Sequence, residues 1–332
     1  MKILITGATG FAGAWILKIL SDKYGSSRVC GTGRNLERAQ ALRDEGYQLI
    51  TGDLTDTQFV QDNLQGYTHI VHCAALSSPF GDYQTFYLNN VQATLNVLNG
   101  IRSAEKIVYI STPSLYFNFT DRLNVKESDP LPQHFVNHYA STKYLAEQAV
   151  LKHPGLKSVV LRPRAIIGAG DTVILPRLLR AYETGRLKII GGGQNQVEFT
   201  SVKNLAHAVD LALNSGEEAH SKVFNITDGE PRLLWPFIEQ TLGKMGCHRK
   251  LTKVPYPLAY AMATLQEWYA NNISKKEPVL TRFGVGTLRY SLTLDISAAR
   301  EILGYQPVIT TDQTIDTFVQ HYLGSPLDVG QL

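Results

Sequence analysis

The sequence predicts an α/β protein built on a doubly wound parallel sheet, with a smaller C-terminal α/β lobe. Three observations carry that expectation. The first half alternates short apolar runs with longer amphipathic segments, and such regular alternation implies parallel strands covered on both faces by helices. The first apolar run leads directly into a glycine-rich turn, TGATGFAG at 6–13, where a sheet of this kind keeps its phosphate-binding corner. The chain has 332 residues, 44% hydrophobic and 18% charged, an ordinary globular composition long enough for one large domain or two coupled ones.

Bulk properties exclude several function classes. The formal charge is only +3 and no block of like charges occurs, so nucleic acid is not an expected partner. Cys30, Cys73 and Cys247 follow no metal or redox spacing, which argues against a disulfide framework or a zinc site, and no metal is expected. The opening MKILITGATG reads as a buried strand rather than a signal peptide. No apolar run approaches the roughly 20 residues of a membrane span. A cytoplasmic, reducing location fits these features.

Taken in order, KILIT (2–6), RVCGT (28–32), YQLIT (47–51), HIVHCA (69–74), KIVYIS (106–111) and SVVLRP (158–163) read as buried strands. Segments 11–22, 35–45, 83–103 and 139–152 between them carry helical periodicity. Past residue 165 the rhythm loosens. Helices are expected near 174–184, 203–214, 232–245, 256–272, 296–303 and 312–323, and strands near 187–191, 197–202 and 222–227. The expected organisation is a dinucleotide-binding domain over 1–165, to which 197–227 returns. Residues 166–196 and 228–332 would supply most of a substrate lobe.

The turn at 6–13 follows the first strand and opens the first helix, the context a dinucleotide fingerprint requires. Gly7, Gly10 and Gly13 permit a tight turn, backbone approach to a pyrophosphate and close helix packing, and Phe11 and Ala12 open the helix whose free N–H groups face the phosphate. The sheet is therefore expected to be Rossmann-like, although the spacing is G-x-x-G-x-x-G rather than G-x-G-x-x-G. No acidic residue closes the second strand, RVCGTGRN; Arg34 stands there instead. A guanidinium matches a 2′-phosphate in geometry and charge, so NADP is the expected cofactor, with NAD possible. The plainer reading of Arg34 is a solvated residue opening a helix. Asp53, with Leu54 beside it, follows the third strand and could contact adenine or cap the helix that begins near Thr55. In HYASTKYLAE (138–147), Tyr139 and Lys143 lie one helical turn apart on one face, which by itself is compatible with an ordinary exposed helix.

Together TGATGFAG, GDLTD, VHCAA, NNVQATLNVL, VYISTPS, YASTK and LRPRAIIGAGD, in that order, resemble the extended short-chain dehydrogenase/reductase family. The later stretches 174–208 and 277–307 look like its 3β-hydroxysteroid dehydrogenase branch, and STPS and LRPR are most similar to bacterial 2-alkyl-3-oxoalkanoate reductases and sterol-4-carboxylate 3-dehydrogenases. The resemblance implies Tyr139 as proton donor and acceptor, Lys143 at the nicotinamide ribose, and Thr112 as the hydroxyl that binds the substrate oxygen, with Ser111 and Ser114 close alternatives. It further implies Ala74 and Ala75 beside the cofactor ribose, Asn90 bonded to backbone, Pro163 beside the nicotinamide, and a homodimer formed through helices 83–103 and 139–152. Ordinary packing explains Ala74, Ala75, Asn90 and Pro163 equally well.

The implied function is NAD(P)-dependent interconversion of a ketone and a secondary alcohol. Tyr256, Leu258, Tyr260, Met262, Leu265, Trp268 and Tyr269, with Phe80, Leu115, Tyr116 and Phe117, form a candidate apolar wall for a β-keto acid or steroid-like substrate; the same stripe reads equally as core. Arg164 is a candidate partner for a substrate carboxylate. Two alternatives share the motifs. A sugar-nucleotide epimerase or dehydratase is one, but dehydratases carry Asp-Glu after the threonine where Pro113-Ser114 stand here. A non-enzymatic NADP-binding sensor is the other, and such relatives typically lose the tyrosine.

Overall fold

The computed structural model describes residues 1–324. Its central sheet has seven parallel strands: β1 (Ile3–Thr6), β2 (Val29–Gly33), β3 (Gln48–Thr51), β4 (His69–His72) and β5 (Lys106–Ile110) from the first third, then two that follow later in the chain. After β6 (Arg122–Val125), which lies outside this sheet, come β7 (Lys157–Pro163), short β8 (Ile166–Ile167), β9 (Ile189–Ile190), β10 (Gln196–Val197) and β11 (Thr200–Ser201), and then β12 (Lys222–Ile226). The order across the sheet is β12-β7-β5-β4-β1-β2-β3, every pairing parallel.

The continuous apolar strands are explained by burial on both faces, because alternate side chains point to opposite sides. Ile3, Ile5, Val108, Val159 and Leu161 enter one core, against α1 (Phe11–Tyr24) and a later helix over Val202–Asn214; Leu4, Ile70, Ile107 and Val160 enter the other. α2 (Leu36–Asp44) and α3 (Thr57–Asn63) are capped by Asn35 and Asp56, whose side chains accept from the first-turn N–H groups.

The segment expected as one helix over 83–103 is continuous but interrupted: α4 (Tyr83–Phe86) passes through a π-helical stretch, Tyr87–Gln92, into α5 (Ala93–Gly100). α6 (His138–Leu151) then packs beside it. The smaller lobe contains α7 (Ile174–Glu183), α9 (Leu234–Lys244), α10 (Tyr256–Tyr269), α11 (Arg282–Thr287) and α13 (Thr311–Gly324), while α8 (Val202–Asn214) and α12 (Ser297–Leu303) lie against the main sheet. Its core gathers Leu175, Leu179, Trp235, Ile238 and Phe318.

Several elements differ from the sequence expectation. β6 joins β10, β13 (Arg232–Leu233) and β15 (Leu292–Leu294) in a second sheet, and β14 (Lys253–Val254) pairs with β9. These strands are two to four residues long, too short to show a period, and are held by partners far away in sequence.

Candidate active site

α6 begins at an Asn137 cap, whose Oδ1 accepts from the Ala140 N–H at 2.8 Å, so that Tyr139 stands in the first turn and Lys143 one turn later. Burial raises the Tyr139 phenol above its ordinary pKa of 10.0, and hydrogen bonds with the Thr112 and Ser77 hydroxyls act in the opposite direction. Burial prevails, so the phenol holds its proton at neutral pH. Thr112 follows β5 in extended conformation and caps a 3-10 turn, Pro113–Tyr116; its Oγ1 accepts from the Ser114 N–H at 3.2 Å and donates to Ser114 Oγ at 3.1 Å. Ser111 is engaged elsewhere, donating to Glu147 Oε2 at 2.6 Å.

Ser77 carries no motif in the sequence, and the fold explains how it reaches the phenol. In the π-helical stretch, Asn90 grips the backbone of Leu76: its Oδ1 accepts from Leu76 N–H at 2.7 Å and its Nδ2 donates to Leu76 O at 3.2 Å and to Thr142 Oγ1 at 3.1 Å. The extra residue of a π-turn re-aims a side chain out of helical register, as is common at functional sites. Asn90 thereby ties the loop after β4 to α6.

Lys143 is 1% exposed; its ammonium donates to Ile110 O at 2.6 Å and lies 4.1 Å from the Tyr109 ring centroid. It is directed at the end of β5 rather than at the phenol, and burial pushes it down to about 7. Deeper still, Glu147 and Arg162 form a fully buried ion pair through Arg162 Nε at 3.0 Å and through Nη2. Arg162 Nη1 donates to the Tyr116 hydroxyl at 2.5 Å, which donates to Asn225 Oδ1 at 2.9 Å. This network joins α6, β5, β7 and β12 beneath the site. His72, bridging Thr6 at 2.6 Å and Thr94 at 2.9 Å, is pushed down to about 3 by burial and Lys143, and stays neutral.

Along the same C-terminal edge of the parallel sheet the residues fit a dinucleotide. Gly7 has φ +70°, and a Cβ there would meet Ala74 Cα and N at 2.8 Å; one at Gly13 would overlap Gly7 O. Gly10 caps α1 with no side-chain bond, leaving the N–H groups of Phe11 and Ala12 at an open helix start. The Ala74 N–H donates to Thr6 Oγ1 at 3.2 Å; Ala75 is exposed. Arg34 is exposed at the end of β2 and donates through Nη1 to Asn89 Oδ1 at 2.9 Å and Asp53 Oδ2 at 3.3 Å. Asp53 Oδ1 accepts from the Thr55 N–H and hydroxyl, both at 2.9 Å, whereas Asp56 caps α3. Leu54 is buried and its carbonyl accepts from Asn96. Pro163 ends β7, buried and trans.

A cavity of about 410 Å³ opens where Pro79, Phe80 and Phe86 on one wall face Phe119, Tyr260 and Phe283 on the other, with Asn137 and His138 at the start of α6 between them. Phe119 has φ +61°, unusual for a bulky residue. Rings of Phe117 and Tyr260 at 5.2 and 5.9 Å hold it there, and Gly286 leaves room, since a Cβ would approach Phe119 to 2.8 Å. The wall differs from the sequence expectation. Leu115, Tyr116 and Phe117 are core, and Leu258, Met262, Leu265, Trp268 and Tyr269 are exposed; among the helix residues singled out, Tyr260 lines this cavity. Arg164 is not among its lining residues. Its Nε is buried without a partner, and burial pushes its guanidinium down to about 10 against the charge of Glu198. Among the described residues no cluster suits a metal ion.

The NAD dependent epimerase/dehydratase family matches residues 3–227. The chain belongs to this family. Among similar proteins of the family, a 4-hydroxy-2-methyl-3-oxo-4-farnesyl-3,4-dihydroquinoline-1-oxide ketoreductase of Stigmatella aurantiaca is 33% identical over 96% of this chain and 96% of its own. A 2-alkyl-3-oxoalkanoate reductase of Shewanella oneidensis is 30% identical over 93% of this chain and 83% of its own. A UDP-glucuronic acid 4-epimerase of Bacillus cereus, solved in complex with NAD, shares the fold with a TM-score of 0.72 at 21% identity, covering 98% of this chain and 99% of that one. Membership makes the chain an oxidoreductase-type nicotinamide enzyme with a Rossmann-like core.

Proposed function

We propose that the protein reduces a ketone to a secondary alcohol, or the reverse, on an apolar substrate of the 3-oxo acid or steroid-like class, with Tyr139 as proton donor and acceptor. The observation that carries this reading is the half-buried Tyr139 phenol, kept protonated by burial and influenced by the Thr112 and Ser77 hydroxyls, directly after Asn137 and His138 of an aromatic cavity wall. The nicotinamide cofactor supplies or accepts the hydride when bound. Tyr139 gives its proton to the carbonyl oxygen as that oxygen gains negative charge, and in oxidation the phenolate takes it back. Thr112 is the catalytic hydroxyl beside it and polarises the carbonyl. Ser111 is less suited to that role because Glu147 holds it. Lys143 braces β5 against α6 through its bond to Ile110 O. Gly7, Gly10, Phe11, Ala12, Gly13, Arg34, Asp53, Leu54, Ala74, Ala75 and Pro163 are the proposed cofactor contacts, and Arg34, with no acid closing β2, favours NADP over NAD.

An epimerase or dehydratase reading is favoured by the family match and the shared fold; against a dehydratase, the turn after Thr112 offers no carboxylate. Oxidation of NADPH and of NADH against 3-oxo acids, steroid ketones and sugar nucleotides tests the choice. Net oxidation with the first two classes is expected; sugar-nucleotide turnover without net redox change would overturn it. A cytoplasmic homodimer through α4–α5 and α6 accompanies this reading. It is supported by exposed Leu88 and Leu145 and open to light scattering. No helix among the described residues is long and apolar enough to cross a membrane.

A further inference from the structure

Helix α10 carries its large apolar side chains on the outside. The side that packs onto the lobe is built around small residues, Ala259, Ala263 and Ala270, which are all buried. The outer side carries Leu258, Met262, Leu265 and Tyr269, whose spacing of four, three and four residues aligns them in one stripe. Trp268 stands beside the stripe, and Ile273 continues it through the π-helical turn Ala270–Ser274. All six side chains are 46% exposed or more. Single surface hydrophobes are ordinary, whereas a contiguous apolar stripe marks an interaction site. No charge interrupts it, because the one charged residue of the helix, Glu267, turns to Arg282 Nε at 2.6 Å. Charge gathers at the two ends instead. Lys250 and Lys253 precede the helix and Lys275 and Lys276 follow it, all exposed, and the neighbouring acid, Glu277, is taken by Arg177 at 3.3 Å.

We propose that the outer face of α10 is a docking surface for an anionic lipid bilayer, on which the helix lies along the headgroup boundary without crossing it. An apolar stripe with basic residues at both ends is complementary to hydrocarbon bounded by negative headgroups, and indole and phenol rings favour that interface. A second copy of this chain fits the face less well. In a symmetric contact through the stripe, whether the two helices run parallel or antiparallel, lysine-bearing ends meet lysine-bearing ends. The inner edge of the same helix gives Tyr260, Glu267 and Asn271 to the aromatic cavity, beside Phe119 and Phe283. Docking therefore sets the cavity next to the acyl phase, where apolar compounds concentrate. The docking itself does not depend on which reaction the site catalyses.

The test floats the full chain with vesicles of phosphatidylcholine, alone or mixed with phosphatidylglycerol. The parent is expected to float with the mixed vesicles, and about tenfold or more less strongly with phosphatidylcholine alone or in high salt. The double variant Leu265→Gln, Trp268→Gln alters only exposed side chains, so it should keep the parent Tm and lose about tenfold or more in partition to the mixed vesicles. Lys275→Glu, Lys276→Glu should lose about as much on the mixed vesicles and little on phosphatidylcholine. If the first variant fails to fold, the second decides by the same ratio. A parent that stays unbound to the mixed vesicles, or folded variants that float as the parent does, overturns the proposal. So does light scattering, without lipid, of a dimer that the Leu265→Gln, Trp268→Gln variant dissociates, because a second copy then covers the face.

Discussion

Replacing Tyr139 by phenylalanine removes one oxygen and leaves the ring that packs at the start of α6. Its hydroxyl is held protonated by burial, against the influence of the Thr112 and Ser77 hydroxyls, so the variant loses the proton and one of the donors that meet the carbonyl oxygen. General acid catalysis is worth about two to four decades of rate. The upper part of that range applies, because Thr112 beside the phenol is 6% exposed, which leaves little room for water to replace the lost hydroxyl. We expect at least a thousandfold loss in kcat, about 4 kcal/mol at about 1.36 kcal/mol per decade. Thr112 keeps its bond to Ser114 at 3.1 Å, so folding should be little affected. The assay follows reduced nicotinamide by absorbance for kcat and its binding by fluorescence, with cofactor Kd expected within about threefold of the parent. Retention of more than a tenth of kcat would refute the reasoning and assign the proton to another group.

Other consequences are equally measurable. Glu147→Gln should lower unfolding free energy by about 3–5 kcal/mol in urea, because it leaves Arg162 charged and 4% exposed without its counterion. The Glu147→Leu, Arg162→Met double variant should recover most of that; a loss under about 1 kcal/mol in the single variant would count against the network. Lys143 has a folded pKa near 7 against an ordinary 10.5, so the unfolded chain binds the extra proton between those values. Stability should accordingly rise with pH through that window, the penalty of the buried ammonium being full below it. Lys143→Met should flatten the rise, and identical slopes in both proteins would exclude the buried charge as its cause. Arg34→Ala should reduce kcat/KM for NADPH by tenfold or more while leaving NADH within about threefold; equal losses would show that the guanidinium does not read the 2′-phosphate.

Much of the fold is legible in the chain because its signals are local. Strand β1, the turn at Gly7–Gly13 and α1 follow from an apolar run, a residue that must take φ +70° and a helix start. The six expected strands of the first half all enter the central sheet with their neighbours. Where sequence reasoning misplaced residues, it read hydrophobicity as pocket. Tyr116 has the composition of a substrate wall, yet its hydroxyl is fully enclosed between Arg162 and Asn225. Leu258, Met262 and Leu265 keep helical spacing, yet face away from the cavity into solvent. Arg164, a candidate carboxylate contact after β7, has a buried Nε without a partner, and burial outweighs the charge of Glu198 in lowering its pKa.

By itself the sequence determined the layered sheet, the dinucleotide turn and the chemical types of Thr112, Tyr139 and Lys143, since each depends on residues within a few positions of one another. Only tertiary structure decided that Ser77 joins the phenol and that Ser111 belongs to Glu147. Those outcomes depend on Asn90 reaching Leu76 from the π-helical stretch and on Glu147 meeting Arg162 between α6 and β7. Burial and hydrogen-bond competition between distant segments set them, and neither leaves a periodic trace along the chain.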